Sequence, residues 1–181
     1  MAISATVIRA KISIADMTRH YYQDHHLTLA QHPSENENRL MIRLLAYAVN
    51  AHEDLQFTKG LSTSDEPEIW LKDLTDIIEL WIDLGLPDES RIKKSINRSQ
   101  KSILYCYDDK SFAPWFKKNE SKLTHKKLSV FKINDKNAAD LESLYARSLD
   151  LQINIDESDI MIVDNNTNKT IEIQIQKVCL K

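Results

Sequence analysis

The chain has 181 residues, 42% of them apolar and 28% charged, with a formal net charge of −3, which is ordinary globular composition and enough chain for one domain with a real core. Its two glycines leave no room for a Gly-rich phosphate loop, its two distant cysteines (Cys106 and Cys179) give neither a disulfide framework nor a cysteine zinc site, and no run reaches the roughly 18 apolar residues of a membrane span. A P-loop nucleotide hydrolase, a disulfide-stapled module and a protein with membrane-spanning helices are excluded, and a reducing cytoplasm is the expected location.

Residues 6–14 alternate Thr6, Ile8, Ala10, Ile12 and Ile14 with Val7, Arg9, Lys11 and Ser13, which predicts a strand and not the apolar run of a signal peptide. A turn over 15–18 and an extended run over 20–31 complete a predicted N-terminal β-hairpin. A helix follows: Ser34 with Glu37 three residues on reads as a capping box, and Leu40, Met41, Leu44, Leu45 and Ala48 form its apolar stripe. Extended segments are predicted near 55–58, 68–72 and 77–84. Pro87-Asp88-Glu89 opens a basic helix over 90–101, and a strand follows at 103–107. Beyond lie a helix near 111–120, a strand at 128–133, a helix over 135–147, and strands through 151–155, 160–163 and 170–178, with a turn at Asp164-Asn165-Asn166-Thr167-Asn168. The predicted class is α/β in its α+β form. It is a single domain, 1–181, with a mixed central sheet, an N-terminal β-hairpin and C-terminal antiparallel strands.

Charge is segregated along the chain. Thirteen Asp/Glu against four Lys/Arg give residues 35–90 a net −9, and twelve Lys/Arg against three Asp/Glu give residues 91–132 a net +9. The two blocks read either as solvated faces that neutralise each other or as a metal-binding cluster beside a phosphate-binding surface. Within the acidic block, Pro67-Glu68 opens one short segment and Asp83 lies near the end of the next, the arrangement of two-strand metal sites for phosphodiester chemistry. Period-2 alternation aligns Glu68, Trp70 and Lys72 on one face, and Glu79, Trp81, Asp83 and Gly85 on one face of the next strand. Pairing the two strands brings Glu68 and Asp83 within reach of one Mg²⁺ or Mn²⁺. Glu35 is either a third carboxylate for that ion or a partner of the helix dipole, and Glu37 closes the capping box.

Gly85 stands where an acid-x-Lys signature places its lysine, the cation that stabilises charge at the nucleophile or phosphorane. Lys94, ahead of Lys72 and Lys93, is the expected replacement. Arg91, Lys94, Arg98 and Lys101 recur at helical spacing and either track a nucleic-acid backbone or form a solvated helix face. His20, His25, His26 and His32 cluster in sequence, but neighbours on a strand point to opposite faces, so surface or packing roles are expected of them. Trp70, Trp81 and Trp115 are expected to be buried rather than to stack bases, with Trp81 walling the acidic pocket.

Several long motifs carry a resemblance. His32-Pro33-Ser34-Glu35, Arg39-Leu40-Met41-Ile42-Arg43-Leu44-Leu45-Ala46, Leu55-Gln56-Phe57-Thr58-Lys59-Gly60-Leu61, Asp65-Glu66-Pro67-Glu68-Ile69-Trp70 and Leu80-Trp81-Ile82-Asp83-Leu84-Gly85-Leu86-Pro87-Asp88-Glu89-Ser90-Arg91-Ile92-Lys93-Lys94 together resemble the YaeQ family of bacterial proteins over almost the whole chain. The resemblance implies a restriction-endonuclease-like core of the PD-(D/E)XK superfamily, ordered helix, three strands, helix, strand. It implies that Pro67 and Glu68 match the Pro-acid motif, that Asp83 matches the acid of acid-x-Lys with Gly85 in place of the lysine, and that Glu35 matches the helix acid. No reaction comes with the family. The expected function is metal-dependent hydrolysis of DNA or RNA phosphodiester bonds; the alternative is a catalytically degenerate module that binds nucleic acid or a protein partner. No membrane association is expected.

Overall fold

The alternation read in the first strand is kept: Ile8, Ala10, Ile12 and Ile14 are buried, while Val7, Arg9 and Lys11 are exposed. In a computed structural model, which describes residues 5–60, 63 and 65–179, the elements run β1 (Thr6–Asp16), β2 (Tyr21–Gln31), α1 (Glu37–Val49), β3 (Gln56–Phe57), β4 (Ile69–Lys72), β5 (Ile78–Leu84), α2 (Glu89–Arg98) and β6 (Ser99–Tyr107). They continue with α3 (Asp109–Leu123), β7 (Leu128–Ile133), α4 (Asp135–Glu142), β8 (Ser148–Asp156), β9 (Asp159–Asp164), β10 (Lys169–Gln174) and β11 (Gln176–Lys177). The class is a mixed α+β fold with two mixed sheets and, among the described residues, four helices. The chain divides into two compact units, Met1–Val49 with Lys136–Ile175 and Asn50–Asp135 with Gln176–Lys181.

The first unit holds a five-stranded sheet in the order β10-β9-β8-β1-β2. The expected hairpin is there, antiparallel from Thr6↔Gln31 to Asp16↔Tyr21, with its turn two residues later than predicted, over 17–20. Its other edge is a parallel pairing of β1 with β8, Arg9↔Ser148 through Asp16↔Ile155. The hairpin and the C-terminal strands, expected beside the central sheet, therefore pair with each other in a sheet of their own. Leu149, Leu151, Ile153, Ile155, Ile160, Ile162, Ile171 and Ile173 are buried with the β1 row, each such side chain contributing roughly 1.5–3 kcal/mol. All nine residues from Leu40 to Ala48 of α1 are buried, so this helix is covered on every side and not only along the predicted stripe.

The start of α1 corrects the capping-box reading. Its N-terminus is capped by Asn36, whose Oδ1 accepts from the Arg39 amide at 2.8 Å, while Ser34 lies outside the helix with its hydroxyl bonded to His32 Nδ1. Asn36 wins because Ser34 is already committed to that local turn. Glu35 likewise precedes the helix. The predicted helix over 135–147 stops at Glu142, where the amides of Leu144 and Tyr145 bond three residues back to Leu141 and Glu142. This tighter turn aims the Tyr145 hydroxyl at Gln31 Oε1, 2.8 Å away.

The second unit holds a six-stranded sheet in the order β11-β7-β6-β5-β4-β3, with β5, β6 and β7 parallel. Parallel neighbours need crossovers, and α2 and α3 supply them. Ile92 and Ile96 of α2 and Leu123 of α3 pack on Leu104, Cys106, Leu128 and Val130, with Phe112, Trp115 and Phe116 at the margin. The basic helix predicted over 90–101 ends at Arg98. Its last carbonyls are taken by side chains, Ser99 Oγ on Ser95 O at 2.7 Å and Lys127 Nζ on Ile96 O at 3.3 Å, and Ser99 is already extended and paired with Ile78. Lys101 thus belongs to β6, exposed and paired with Leu80, and not to the helical stripe. No helix of the described residues is long and apolar enough to cross a membrane.

Candidate functional site

The site begins with β5, where alternation puts Trp81 and Asp83 on one face and Ile82 and Leu84 on the other. All four are buried, because here the sheet is covered on both sides. On the neighbouring strand Ile69 pairs with Ile82 and Trp70 with Trp81. Glu68 lies just before β4, where the backbone bends; its amide donates to Ile82 O at 3.0 Å and its carbonyl accepts from Thr58 N at 3.1 Å. The ladder thus delivers Glu68 to the residue preceding Asp83, and both acids are buried, at 4% and 6% exposure.

Helix α2 closes the site. Asp88 caps it by accepting from the Arg91 amide at 2.8 Å, and this sets Arg91 in the first turn, over the end of β5. Arg91 grips Asp83 with two parallel bonds, Nη2 to Oδ1 at 2.7 Å and Nε to Oδ2 at 3.0 Å. A second Nη2 bond reaches Glu66 O at 2.6 Å. The Trp81 indole N–H donates to Asp83 Oδ2 at 2.8 Å, and the guanidinium lies 5.5 Å from the centre of the Trp81 ring. Three donors therefore occupy the two oxygens of Asp83.

The rest of the stripe does similar work. Lys94 Nζ bonds Asp65 Oδ1 at 3.0 Å and Arg98 Nη1 bonds Asp65 O at 3.1 Å, so positions 91, 94 and 98 all hold the 65–68 loop. The Lys94 bond, reinforced by the charges of Lys94, Arg98 and Arg91, holds the Asp65 carboxyl below the usual range against a small opposing desolvation. Neutralisation is therefore local: the acidic loop and the basic helix predicted as separate blocks bind each other here.

The other expected residues have partners of their own. Lys72 Nζ is 3.5 Å from Asp76 and 4.1 Å from the centre of the Trp70 ring. Lys93 pairs with Glu89 at 2.6 Å. Glu35, in the first unit, forms a buried ion pair with Arg43 at 2.8 Å. Gly85 follows β5 with φ 86°, its amide on Tyr105 O at 2.9 Å. A strand that still carried the motif lysine would have to stay extended at this position, and only glycine takes the left-handed turn without steric cost.

As arranged, the Glu68–Asp83 pair does not fit a divalent ion. Mg²⁺ needs near-octahedral oxygen ligands at about 2.0–2.1 Å, and both Asp83 oxygens are committed to a guanidinium that never loses its charge. Among the described residues no group of three His, Cys, Asp or Glu side chains is placed to hold a metal. Sequence reasoning named Arg91 but assigned it to phosphate; the clue to its real partner was its place in the first turn of the helix directly after the Asp83 strand.

The chain matches the family model described as YaeQ protein over residues 1–174. It is 41% identical to the Escherichia coli (strain K12) protein named "Uncharacterized protein YaeQ" over 169 residues, covering 93% of each chain. To the Salmonella typhi protein of the same name it is 42% identical over 176 residues, 97% of this chain and 96% of the other. The crystal structure of the YaeQ protein from Xanthomonas axonopodis pv. citri superposes with a TM-score of 0.92 at 37% identity, covering 98% of this chain and all of that one. That from Pseudomonas syringae gives 0.90 at 29% identity, covering 98% and 97%.

Proposed function

This chain belongs to the YaeQ family, and we propose that it is a nucleic-acid-binding protein built on a nuclease-like core of the PD-(D/E)XK type whose cutting site is closed. The nuclease-like part of the reading is supported by the order α1, β3, β4, β5, α2, β6 and by the placement of Pro67-Glu68 and Asp83 at the ends of paired strands. The observation that carries the closed site is the two-bond grip of Arg91 on Asp83. A metal bound by both oxygens of Asp83 competes there with three charge-assisted hydrogen bonds, each worth about 1.5–3 kcal/mol. Nucleic acid is favoured as the partner by the net +9 of residues 91–132, since neutralising phosphates is what such a block does best. Labelled single- and double-stranded DNA and RNA, incubated with Mg²⁺ or Mn²⁺ and then with EDTA, test it. Binding should persist in EDTA with no cleavage in either metal; cleavage that disappears in Asp83→Asn would overturn it.

A second reading, metal-dependent phosphodiester hydrolysis, is favoured by two buried carboxylates, Glu68 and Asp83, at adjacent positions of one ladder. It needs Arg91 to leave Asp83 when Mg²⁺ or Mn²⁺ arrives, and it needs Lys94 or Lys72 to leave Asp65 or Asp76. Mn²⁺-dependent cleavage strengthened by Arg91→Ala would select it.

A further inference from the structure

Most basic residues of the +9 block are not in the Arg91–Lys94–Arg98 stripe. Several of them line a groove of about 540 Å³ formed by α2, the end of α3 and the turn after it, a volume within the range of ligand sites. Lys93 and Asn97 come from α2, Lys122 from α3, and His125 and Lys126 from the turn, over an apolar floor at Ile96. None of the described lining residues is acidic.

Two of the ammonium groups, those of Lys93 and Lys122, converge on one point. A single oxygen of Glu89, at the N-terminal end of α2, lies 2.6 Å from Lys93 Nζ and 3.7 Å from Lys122 Nζ. Two lysines from different helices therefore already share one anionic oxygen, the geometry that a phosphate oxygen would use. His125 adds a donor: its Nδ1 accepts from the Lys127 amide at 3.2 Å, which leaves the ring proton on Nε2. The carbonyls that end α2 would oppose an anion, but Lys127 Nζ covers Ile96 O and Ser99 O at 3.3 and 3.0 Å.

We infer that this groove is the surface on which the protein holds the phosphate backbone of a single nucleic-acid strand, with Lys93, Lys122 and Lys126 as the phosphate contacts. The inference rests on the nucleic-acid-binding reading and names its site. The occupant is a backbone and not a base because the described lining offers lysine point charges and no Trp, Tyr or Phe face, so contacts are independent of sequence. It is this groove and not the stripe because Arg91, Lys94 and Arg98 hold three points of the 65–68 loop, whereas Lys93 and Lys122 share one half-exposed Glu89 oxygen that a phosphate oxygen can replace.

The test measures affinity of the full chain for a fluorescent ten-nucleotide strand across a salt series, for wild type, the triple variant Lys93→Ala/Lys122→Ala/Lys126→Ala, and Arg98→Ala/Lys101→Ala. Each lost contact to a single strand removes about 0.7 from the salt slope. The triple variant should therefore lose about 2 from the slope and bind about a hundredfold more weakly at 0.1 M salt, while Arg98→Ala/Lys101→Ala stays within about twofold of wild type. Tryptophan fluorescence and circular dichroism matching wild type certify the fold of each variant. An unchanged slope in a folded triple variant overturns the groove and leaves nucleic-acid binding standing; wild type that binds no strand at any salt removes both. Inorganic pyrophosphate bound as tightly as the ten-nucleotide strand overturns the backbone assignment in favour of a small phosphate ligand.

Discussion

Replacing Arg91 with Ala should destabilise the second unit far more than loss of a surface charge does. The substitution removes both bonds to Asp83 and the bond to Glu66 O, leaving a carboxylate with an 8% exposed side chain and only the Trp81 indole as an assigned donor. Removing one partner of a buried ion pair costs about 3–5 kcal/mol. Arg91 is itself 19% exposed, which lets water reach part of the hole and sets the expectation near the lower bound, about 3 kcal/mol. The double variant Asp83→Leu/Arg91→Met takes away both charges and should cost less than the sum of its single changes by about 2 kcal/mol. Urea unfolding followed by tryptophan fluorescence is the assay, because Trp70, Trp81 and Trp115 all belong to the second unit. A loss below about 1 kcal/mol for Arg91→Ala, or additive single changes, would mean that the pair is screened like a surface bridge and that Asp83 is available to a metal.

Gly85→Lys restores the missing motif lysine in sequence, yet φ 86° makes it cost about 1–2 kcal/mol; wild-type stability together with new Mg²⁺-dependent cleavage would contradict this. His25 should make the first unit acid-sensitive. Its pKa is lowered by burial, which outweighs the upward pull of Asp24, so the unfolded chain binds the proton first and stability falls as the pH drops below about 6.5 until the folded pKa is passed. The Tyr47 hydroxyl, which burial and then Tyr21 push up to about 12, sits 3.0 Å from His25 Nδ1, and the Tyr21 hydroxyl 2.7 Å from Nε2, so the neutral ring donates from one nitrogen and accepts at the other. His25→Gln should flatten the pH 5–7 dependence of stability, and an unchanged slope would refute that account. Burial pushes the Cys106 thiol up to about 12, with Lys132 pulling slightly the other way, so a thiol reagent should label the exposed Cys179 at once and Cys106 only on unfolding; prompt labelling of both would show that the α2–α3 layer opens.

Local pattern carried much of this fold. The β1 alternation, the span of β7 and the Asp164–Asn168 turn follow from residues close in sequence, and so does the placement of Glu68 next to Ile82-Asp83 once two short strands are paired. What stayed hidden depends on distance or on competition. Nothing local tells β1 that its parallel partner begins at Ser148, which is why the joining of the hairpin to the C-terminal strands is not legible in the sequence. The charge pattern of α2 runs on to Lys101 with no glycine or proline to stop it, so its end is set by Ser99 and Lys127 reaching its carbonyls. Ser34 and Glu37 have capping-box spacing, but a histidine two residues upstream takes the serine. Arg91, Lys94 and Arg98 were legible as a stripe at helical spacing; their partners were not, because spacing says which residues share a face and not what lies opposite.

The closed site is tested most directly by growing crystals at low salt, soaking them in millimolar Mn²⁺ and collecting anomalous data. The account predicts no anomalous peak beside Glu68 and Asp83, with Arg91 still holding both oxygens of Asp83. A peak between the two carboxylates, with the Arg91 side chain swung away, would contradict it.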